Sequence, residues 1–245
     1  MIRHLKRISF VGPSGDPTLN DPLVLDPSPQ GIAMAIRTGM CPVDRAFDRF
    51  FPDELRRVAA QYWTPLLVAM RAAEWMDELD VQTVVDIGSG AGKFCVAAAL
   101  AGRCRFTGIE QRPRLVTAAR ELARVFEVDD RVTFLDGALG EVPIPDADAY
   151  YLYNPFGENL FGADDHLDED VELGADRYAR DVASARELLR RAPVGTCVLI
   201  YNGFGGQLPL SYQEIRVDHE LPNPLCLWQK TSARAAGPCS LPEAS

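Results

Sequence analysis

Glycine occupies every second position in one short turn of the sequence, Asp86-Ile87-Gly88-Ser89-Gly90-Ala91-Gly92. Because glycine has no side chain, such a turn can be tight and can bring the backbone close to a ligand beside a helix N-terminus. The dinucleotide-binding fingerprint would place glycine where this chain has Lys93, and a P-loop would follow the lysine with serine or threonine rather than phenylalanine. The turn at Gly88, Gly90 and Gly92 therefore predicts a nucleotide-type ligand, with a purely structural turn as the alternative.

Two acidic residues stand directly after the next two strand-like segments. Glu110 follows Gly92 by 18 residues, and a carboxylate there can accept hydrogen bonds from both hydroxyls of an unphosphorylated ribose. Asp136 precedes Gly137, where a carboxylate or a nearby amide could receive the exocyclic amine of adenine. The alternatives are a solvated loop acid at Glu110 and a turn-forming Asp-Gly pair at Asp136.

A fourth polar position, Asn154 in Asn154-Pro155-Phe156, ends a further strand-like segment. It is either a binding residue or a strand-ending turn. All four positions fall at the C-terminal ends of predicted parallel strands, where open α/β sheets bind their ligands. The coincidence of four such positions favours a nucleoside site over four unrelated loops.

The elements that carry these residues alternate between strand and helix patterns from Val81 onward. Apolar segments predict strands at 83–87, 105–109, 131–135, 149–153 and 197–201, and helices at 94–101, 113–126 and 175–191. Two more strand-like segments, 212–217 and 225–230, have no room for a helix between them and predict a hairpin. The predicted fold class is a doubly wound, mostly parallel, seven-stranded α/β sheet with a C-terminal antiparallel hairpin and an N-terminal helical extension.

The first 80 residues show a different pattern. Residues 12–30 contain five prolines among Asp, Ser and Gly, and this composition predicts an irregular arm. From Asp44 to Asp80, apolar residues recur at helical spacing. We expect these helices to cap part of the nucleoside site.

The composition, 47% hydrophobic and 24% charged over 245 residues, is that of a globular protein. The net charge of −10 argues against a nucleic-acid partner, since phosphate backbones are bound largely by Lys and Arg. No apolar run approaches the roughly 20 residues of a bilayer span, and the start, Met1 to Arg7, is not followed by the longer apolar region of a secretory signal. We expect a cytoplasmic protein without membrane association.

The cysteines are scattered, with no CxxC pair: Cys41, Cys95, Cys104, Cys197, Cys226 and Cys239. No disulfide framework or zinc site is predicted, and Cys95, Cys197 and Cys226 are expected to be free buried thiols because they lie in apolar segments. The acidic segment 158–176 is expected to be a solvated, mobile loop, with a negative rim for a cationic substrate as the alternative. His166 within it belongs to no ligand pattern, so no metal is predicted.

On these residues the chain resembles the class I S-adenosylmethionine (SAM)-dependent methyltransferases, which have a Rossmann-like, seven-stranded sheet. The turn at 86–92 is similar to their glycine-rich first motif, Glu110 to their ribose-binding acid and Asp136 to their adenine-contacting acid. The closing hairpin is similar to the reversed last strand of the family. The resemblance covers about residues 62–230.

This resemblance implies SAM as the cofactor. The three glycines of the turn would border its methionine part, and Asp86 would help to hold its amino group, directly or through water. Tyr62 and Thr64, just before Pro65, are similar to a Thr-Pro element that precedes the first motif in some protein methyltransferases. They are carried over as cofactor-binding residues, with an ordinary helix start as the alternative.

Asn154-Pro155-Phe156 is similar to the Asn-Pro-Pro-Phe/Tyr motif of methyltransferases that act on amino nitrogens. In that motif the asparagine amide oxygen and an adjacent backbone carbonyl accept hydrogens from the target amine, and the aromatic ring stacks on the target. The resemblance thus implies that Asn154 is catalytic and lies beside the cofactor. This chain lacks the second proline, which alters the backbone path and leaves both the amine acceptor and the stacking open.

The implied function is methyl transfer from SAM to a nucleophile, such as an amine on a protein side chain or on a small molecule, mostly by in-line positioning. The alternatives are an NAD-dependent oxidoreductase, which position 93 disfavours, and a non-catalytic SAM- or nucleoside-binding module. We expect an N-terminal arm and cap helices over 1–60, a SAM-binding methyltransferase domain over 61–233 and a C-terminal tail over 234–245. The oligomeric state is open.

Overall fold

The computed structural model of the chain describes residues 26–232. The tail expected at 234–245, Cys239 and most of the proline-rich arm lie outside these residues. The described residues belong to two compact units, which divide between Ala147 and Asp148. The division into an arm, a SAM-binding domain and a tail stays a prediction.

The last part of the proline-rich arm differs from its prediction, because helix α1 (Pro29–Arg37) begins inside it. Proline suits the first turn of a helix, where its missing N–H leaves no hydrogen bond unmade. Ser28 caps the helix, since its Oγ accepts the N–H of Gly31 at 3.1 Å. The expectation of irregular structure up to residue 30 is therefore wrong at its end.

The remaining helices of the first unit are α2 (Asp44–Asp48), α3 (Asp53–Tyr62), α4 (Leu66–Glu78), α5 (Lys93–Ala101) and α6 (Pro113–Val125). The predicted helical region from Asp44 to Asp80 is thus split into three. Pro52 and Pro65 directly precede α3 and α4, because proline is tolerated where a helix starts and interrupts one elsewhere.

The first unit also contains three parallel strands, β1 (Thr83–Ile87), β2 (Arg105–Glu110) and β3 (Val132–Asp136), in the order β3-β2-β1. The register pairs Ile87 with Ile109 and Glu110 with Asp136. All three strands therefore end at the same edge of the sheet, and the polar residues that follow them are brought to that edge.

The second unit contains α7 (Ala175–Arg191), two short 3₁₀ turns (Gly157–Leu160 and Ala163–Asp165) and the strands β4 (Ala149–Tyr153), β5 (Cys197–Tyr201), β6 (Tyr212–Asp218) and β7 (Leu225–Lys230). These strands lie in the order β4-β5-β7-β6, with β4 and β5 parallel and β7 antiparallel to both of its neighbours. The seven strands make up a mostly parallel sheet with a C-terminal antiparallel hairpin, which confirms the predicted fold class.

Helix α5 is buried from Lys93 to Leu100, and most of its residues are small. A helix that is apolar on all sides belongs in a protein core, and here it carries the end of the glycine-rich turn. Within residues 26–232, no helix combines the length and the hydropathy that a membrane span requires.

The cysteines follow their prediction in two of three cases. Cys95 and Cys197 are free and buried, as expected. Cys226 is free but only half-buried, because its neighbours Leu225 and Leu227 take the buried face of β7.

Candidate functional site

The glycine-rich turn joins β1 to α5 and is held against β2. The N–H groups of Gly88 and Ser89 both donate to the carbonyl oxygen of Ile109 at 2.9 Å. Gly88, Gly90 and Gly92 have positive φ angles of 75°, 53° and 80°. An L-residue adopts this left-handed region only at a cost, so the turn requires glycine at these positions.

Trp63 packs on this turn, a contact that the sequence did not reveal. A Cβ atom on Gly90 would overlap the six-membered ring of Trp63. Trp63 is 6% exposed, and its Nε1–H donates to the carbonyl of Leu55 at 3.3 Å, which fixes the indole. The half-buried Tyr62 and the buried Thr64 flank Trp63 in the chain, so the predicted Thr-Pro element lies next to the glycine-rich turn.

We predict that Gly90→Ala lowers the free energy of unfolding by about 2–5 kcal/mol. The strain of a positive φ costs roughly 1–2 kcal/mol, and the overlap with the Trp63 ring adds about 1–3 kcal/mol of overpacking. Gly39→Ala is the matched control, because Gly39 has a φ of 81° and no atom within 4 Å of the added Cβ. Urea unfolding should show a clearly larger loss for Gly90→Ala; equal losses would mean that Trp63 does not press on the turn.

Glu110 is the last residue of β2 and is 6% exposed. Its Oε2 accepts the N–H of Gly90 at 3.0 Å, and its Oε1 accepts the N–H of Arg112 at 2.9 Å. These two bonds fix the direction of the carboxylate and tie it to the glycine-rich turn. Glu110 is therefore a buried residue and not a solvated loop acid.

Asp86 lies on β1 one residue before its end and is 3% exposed. Burial raises the pKa of its carboxyl to about 7; the Cys95 thiol, which donates to Oδ2 at 3.3 Å, opposes this rise, and the Glu110 carboxylate adds to it. A buried carboxylate beside a second carboxylate is poised to accept a cationic group.

Asp136 ends β3 and is exposed. The next residue, Gly137, has a φ of 144° and donates its N–H to the carbonyl oxygen of Glu110 at 2.9 Å. The pair is therefore a turn, and the turn places the Asp136 side chain at the same sheet edge as Glu110. The two readings of Asp136, turn residue and ligand contact, are compatible.

Lys93, whose place after the turn argues against a dinucleotide fingerprint or a P-loop, is buried with 3% of its side chain exposed. Its Nζ lies 2.7 Å from Oδ1 of Asp44 and 2.6 Å from Oδ1 of Asp48, both on α2. Its ammonium group is thus engaged by two carboxylates and does not act as a P-loop lysine would. In a sequence, a single charged residue at the start of an otherwise apolar helix indicates a buried charge that is paired with opposite charges.

Asn154, in the second unit, follows β4 with a positive φ of 39°. Its N–H donates to the carbonyl of Gly203 at 2.9 Å, and its carbonyl accepts the N–H of Gly157 at 3.1 Å. Among the described residues, none forms a hydrogen bond with its side-chain amide. Phe156 is 5% exposed, which leaves little of its ring to stack on an acceptor.

The acidic segment 158–176 is exposed in part and half-buried in part, and it uses some of its polar groups internally, while its mobility stays a prediction. Glu158 Oε1 accepts the N–H of Leu167 at 2.7 Å, and Glu172 accepts from Arg180 Nη2 at 2.7 Å. Asn159, 7% exposed, bonds to the backbone of Phe156 and of Gly174. Within residues 26–232, no group of three His, Cys, Asp or Glu side chains is arranged to hold a metal ion.

Comparison with known sequences gives two partial matches. Residues 80–150, which run from just before β1 into β4, match the family model described as a methyltransferase domain. The ribosomal protein L11 methyltransferase of Herpetosiphon aurantiacus is 37% identical over 67 residues, which are 27% of this chain and 21% of that protein. The chain thus matches about a fifth of the length of this curated relative.

Comparison with solved structures extends over more of the chain. The RNA methyltransferase from Salinibacter ruber, crystallised with S-adenosyl-L-homocysteine, has a TM-score of 0.50 and 25% identity over 71% of this chain and 97% of its own. The mitomycin 7-O-methyltransferase has a TM-score of 0.51 and 18% identity over 83% of this chain and 61% of its own, a likeness in fold alone.

Proposed function

Since the chain carries a methyltransferase domain of the class I, SAM-dependent family, we propose that it transfers a methyl group from SAM to a nucleophile. The observation that carries the proposal is the bond from the Gly90 N–H to Glu110 at 3.0 Å. This bond joins Glu110, the residue proposed to bind the ribose, to the glycine-rich turn, which we propose borders the methionine part of SAM. A nucleoside with an amino-acid extension needs both contacts within one site.

The residues of the first unit fit SAM in charge and in shape. Glycines at positive φ make the turn between β1 and α5 tight, which can bring its backbone close to a ligand at this sheet edge. Asp86 offers a buried carboxylate to an ammonium group, and Glu110 offers an oriented carboxylate to two hydroxyls. SAM supplies a methyl group made electrophilic by its positive sulfur, and the contribution of the protein is to orient and to exclude water.

The acceptor that we propose is an amine on a protein side chain or on a small molecule. Asn154 supports it, because an amide without a hydrogen-bond partner among the described residues can accept hydrogens from an amine and direct its lone pair. The similar proteins carry names that indicate a ribosomal protein, RNA and an oxygen atom as acceptors, so similarity does not choose among them. The net charge of −10 favours a basic acceptor over a nucleic acid.

Calorimetric titration of the full chain with SAM, S-adenosylhomocysteine and NAD tests the cofactor. We expect binding of the first two and none of NAD. Binding of NAD without SAM would reject the proposal in favour of an oxidoreductase. Radioactive methyl transfer from SAM to candidate amines then tests catalysis, and tight SAM binding without any transfer would indicate a binding module.

We predict that Asn154→Ala lowers kcat by about a hundredfold, since a misplaced acceptor loses much of the advantage of orientation. The dissociation constant of SAM should change far less than kcat. Asn202→Ala is the control, because Asn202 follows β5 with a similar left-handed φ of 57° and bears no proposed role. Undiminished turnover in Asn154→Ala, or an equal loss in Asn202→Ala, would remove Asn154 from the mechanism.

A further inference from the structure

Cys95 lies in the first turn of α5, is completely buried, and donates its S–H to Oδ2 of Asp86 at 3.3 Å. Burial and the adjacent carboxylate raise the pKa of this thiol well above its usual value. The sulfur therefore keeps its proton, so Cys95 is a lasting donor and not a reactive thiolate. This hydrogen bond is directed at the carboxylate proposed to receive the amino group of SAM.

The two oxygens of Asp86 differ in their surroundings. Oδ2 is bonded to Cys95, whereas no described residue donates a hydrogen bond to Oδ1. A carboxylate held at one oxygen cannot rotate freely, so the direction of the other oxygen is fixed as well. Preorganisation of this kind removes an entropic cost from ligand binding.

We propose that Cys95 is a positioning residue for cofactor binding, whose S–H holds Asp86 so that Oδ1 faces the ammonium group of SAM. This inference rests on the proposed function. Alanine at position 95 would fit among Ala97, Ala98 and Ala99, but it would leave Asp86 without a donor. The thiol is thus the only polar side chain that α5 directs at this carboxylate among the described residues.

The contact has a consequence for the pH dependence of binding. Among the described residues, the titratable groups that act on Asp86 are Cys95 on α5 and Glu110 on β2. The pKa of Asp86 is about 7, and an ammonium ligand requires the ionised carboxylate, so affinity should rise as the pH increases through that value. Because the thiol lowers this pKa, its removal should move the midpoint of the rise to higher pH.

The test is calorimetric titration of wild type, Cys95→Ala and Cys95→Ser with S-adenosylhomocysteine and SAM between about pH 6 and about pH 9. Near neutral pH we expect Cys95→Ala to bind about threefold to tenfold more weakly, with its midpoint shifted upward. Cys95→Ser keeps a donor and should fall between alanine and wild type. The amino group of the ligand titrates identically in each series, so differences between variants report on the protein.

Two controls separate positioning from general damage. 5′-Methylthioadenosine lacks the amino-acid part and should bind wild type and Cys95→Ala equally. Cys104→Ala removes another buried thiol of the first unit, which donates to the carbonyl of Val81 at 3.1 Å, and should leave the pH profile unchanged.

The outcomes distinguish the two proposals. A wild-type protein that binds neither SAM nor S-adenosylhomocysteine would reject the proposed function, and this inference with it. Normal binding by wild type with an identical affinity and pH profile for Cys95→Ala would overturn only the role of Cys95. Equal weakening of S-adenosylhomocysteine and 5′-methylthioadenosine would likewise overturn it, in favour of a packing role.

Discussion

Replacement of Glu110 by glutamine is expected to weaken the binding of S-adenosylhomocysteine by about a hundredfold or more. Each oxygen of Glu110 accepts a backbone N–H, one from Gly90 and one from Arg112. Glutamine has one oxygen and one NH₂ group, so in either orientation its NH₂ faces a backbone donor. The glutamine side chain must turn away from one of these donors. Either the Gly90 N–H then loses its acceptor, or the side chain leaves the position that the Glu110 carboxylate occupies.

The magnitude follows from the type of bond that is lost. Hydrogen bonds to a charged acceptor contribute about 1.5–3 kcal/mol each, and every 1.4 kcal/mol corresponds to about a factor of ten in affinity. The two ribose hydroxyls proposed to bond to Glu110 would lose a charged acceptor, which accounts for a loss of about two orders of magnitude or more. The displaced backbone donor should also cost roughly 1–3 kcal/mol of stability, which urea unfolding measures separately.

Glu121→Gln is the matched control for this experiment. It makes the same change in net charge on α6, where Glu121 is exposed and pairs only with the exposed Arg124 among the contacts that the structure gives it. Its affinity for S-adenosylhomocysteine should equal that of wild type. If Glu110→Gln also binds normally, Glu110 does not contact the ribose and the cofactor assignment loses its main support.

The bounds of the strands were predictable because each strand is a short apolar run between turn residues. The bounds of β1, β4 and β5 agree with their predictions residue for residue, and β2 differs by one residue at its end. From these bounds the sequence placed Glu110 and Asp136 at one sheet edge, and the register of β2 with β3 confirms that they are neighbours. The local sequence pattern is sufficient to place a residue whose position depends only on where a strand ends.

The contacts that hold the candidate site were not predictable in the same way. The Trp63 ring on Gly90 and the Cys95 thiol on Asp86 join residues that are separated in the chain and meet only when helices pack on the sheet. Helical periodicity shows that a residue is buried but not which neighbour it meets. The left-handed conformation of Asn154 likewise depends on its bond to Gly203, from a different strand end.

Lys93 is the clearest case of such a hidden contact, and its replacement by methionine is expected to lower the free energy of unfolding by about 3–5 kcal/mol. A lysine at a helix N-terminus is opposed by the helix dipole, so its buried position depends on Asp44 and Asp48. Asp48 Oδ1 has no other partner among the described residues. Methionine replaces the chain as far as Cε but lacks the ammonium group, so it leaves the buried Asp48 without a counter-charge.

The loss of stability in Lys93→Met should depend on pH, and the pKa of Asp48 determines the direction of this dependence. Burial raises this pKa, and Lys93 opposes the rise, so removal of Lys93 should raise it further. A carboxyl whose pKa is higher in the folded than in the unfolded protein destabilises the fold increasingly as the pH rises through the folded value. Urea unfolding of Lys93→Met should therefore show a smaller loss of stability at about pH 5 than at about pH 8.

A second substitution tests whether the uncompensated charge is the cause. Asp48→Asn removes that charge at nearly constant volume, so the double variant with Lys93→Met should recover about 2 kcal/mol of the loss at neutral pH. Arg56→Met, which removes an exposed ion pair with Asp53 at 2.8 Å, should change stability little. A Lys93→Met protein as stable as wild type, or a double variant no more stable than the single one, would show that α2 is held against α5 by apolar packing and not by these charges.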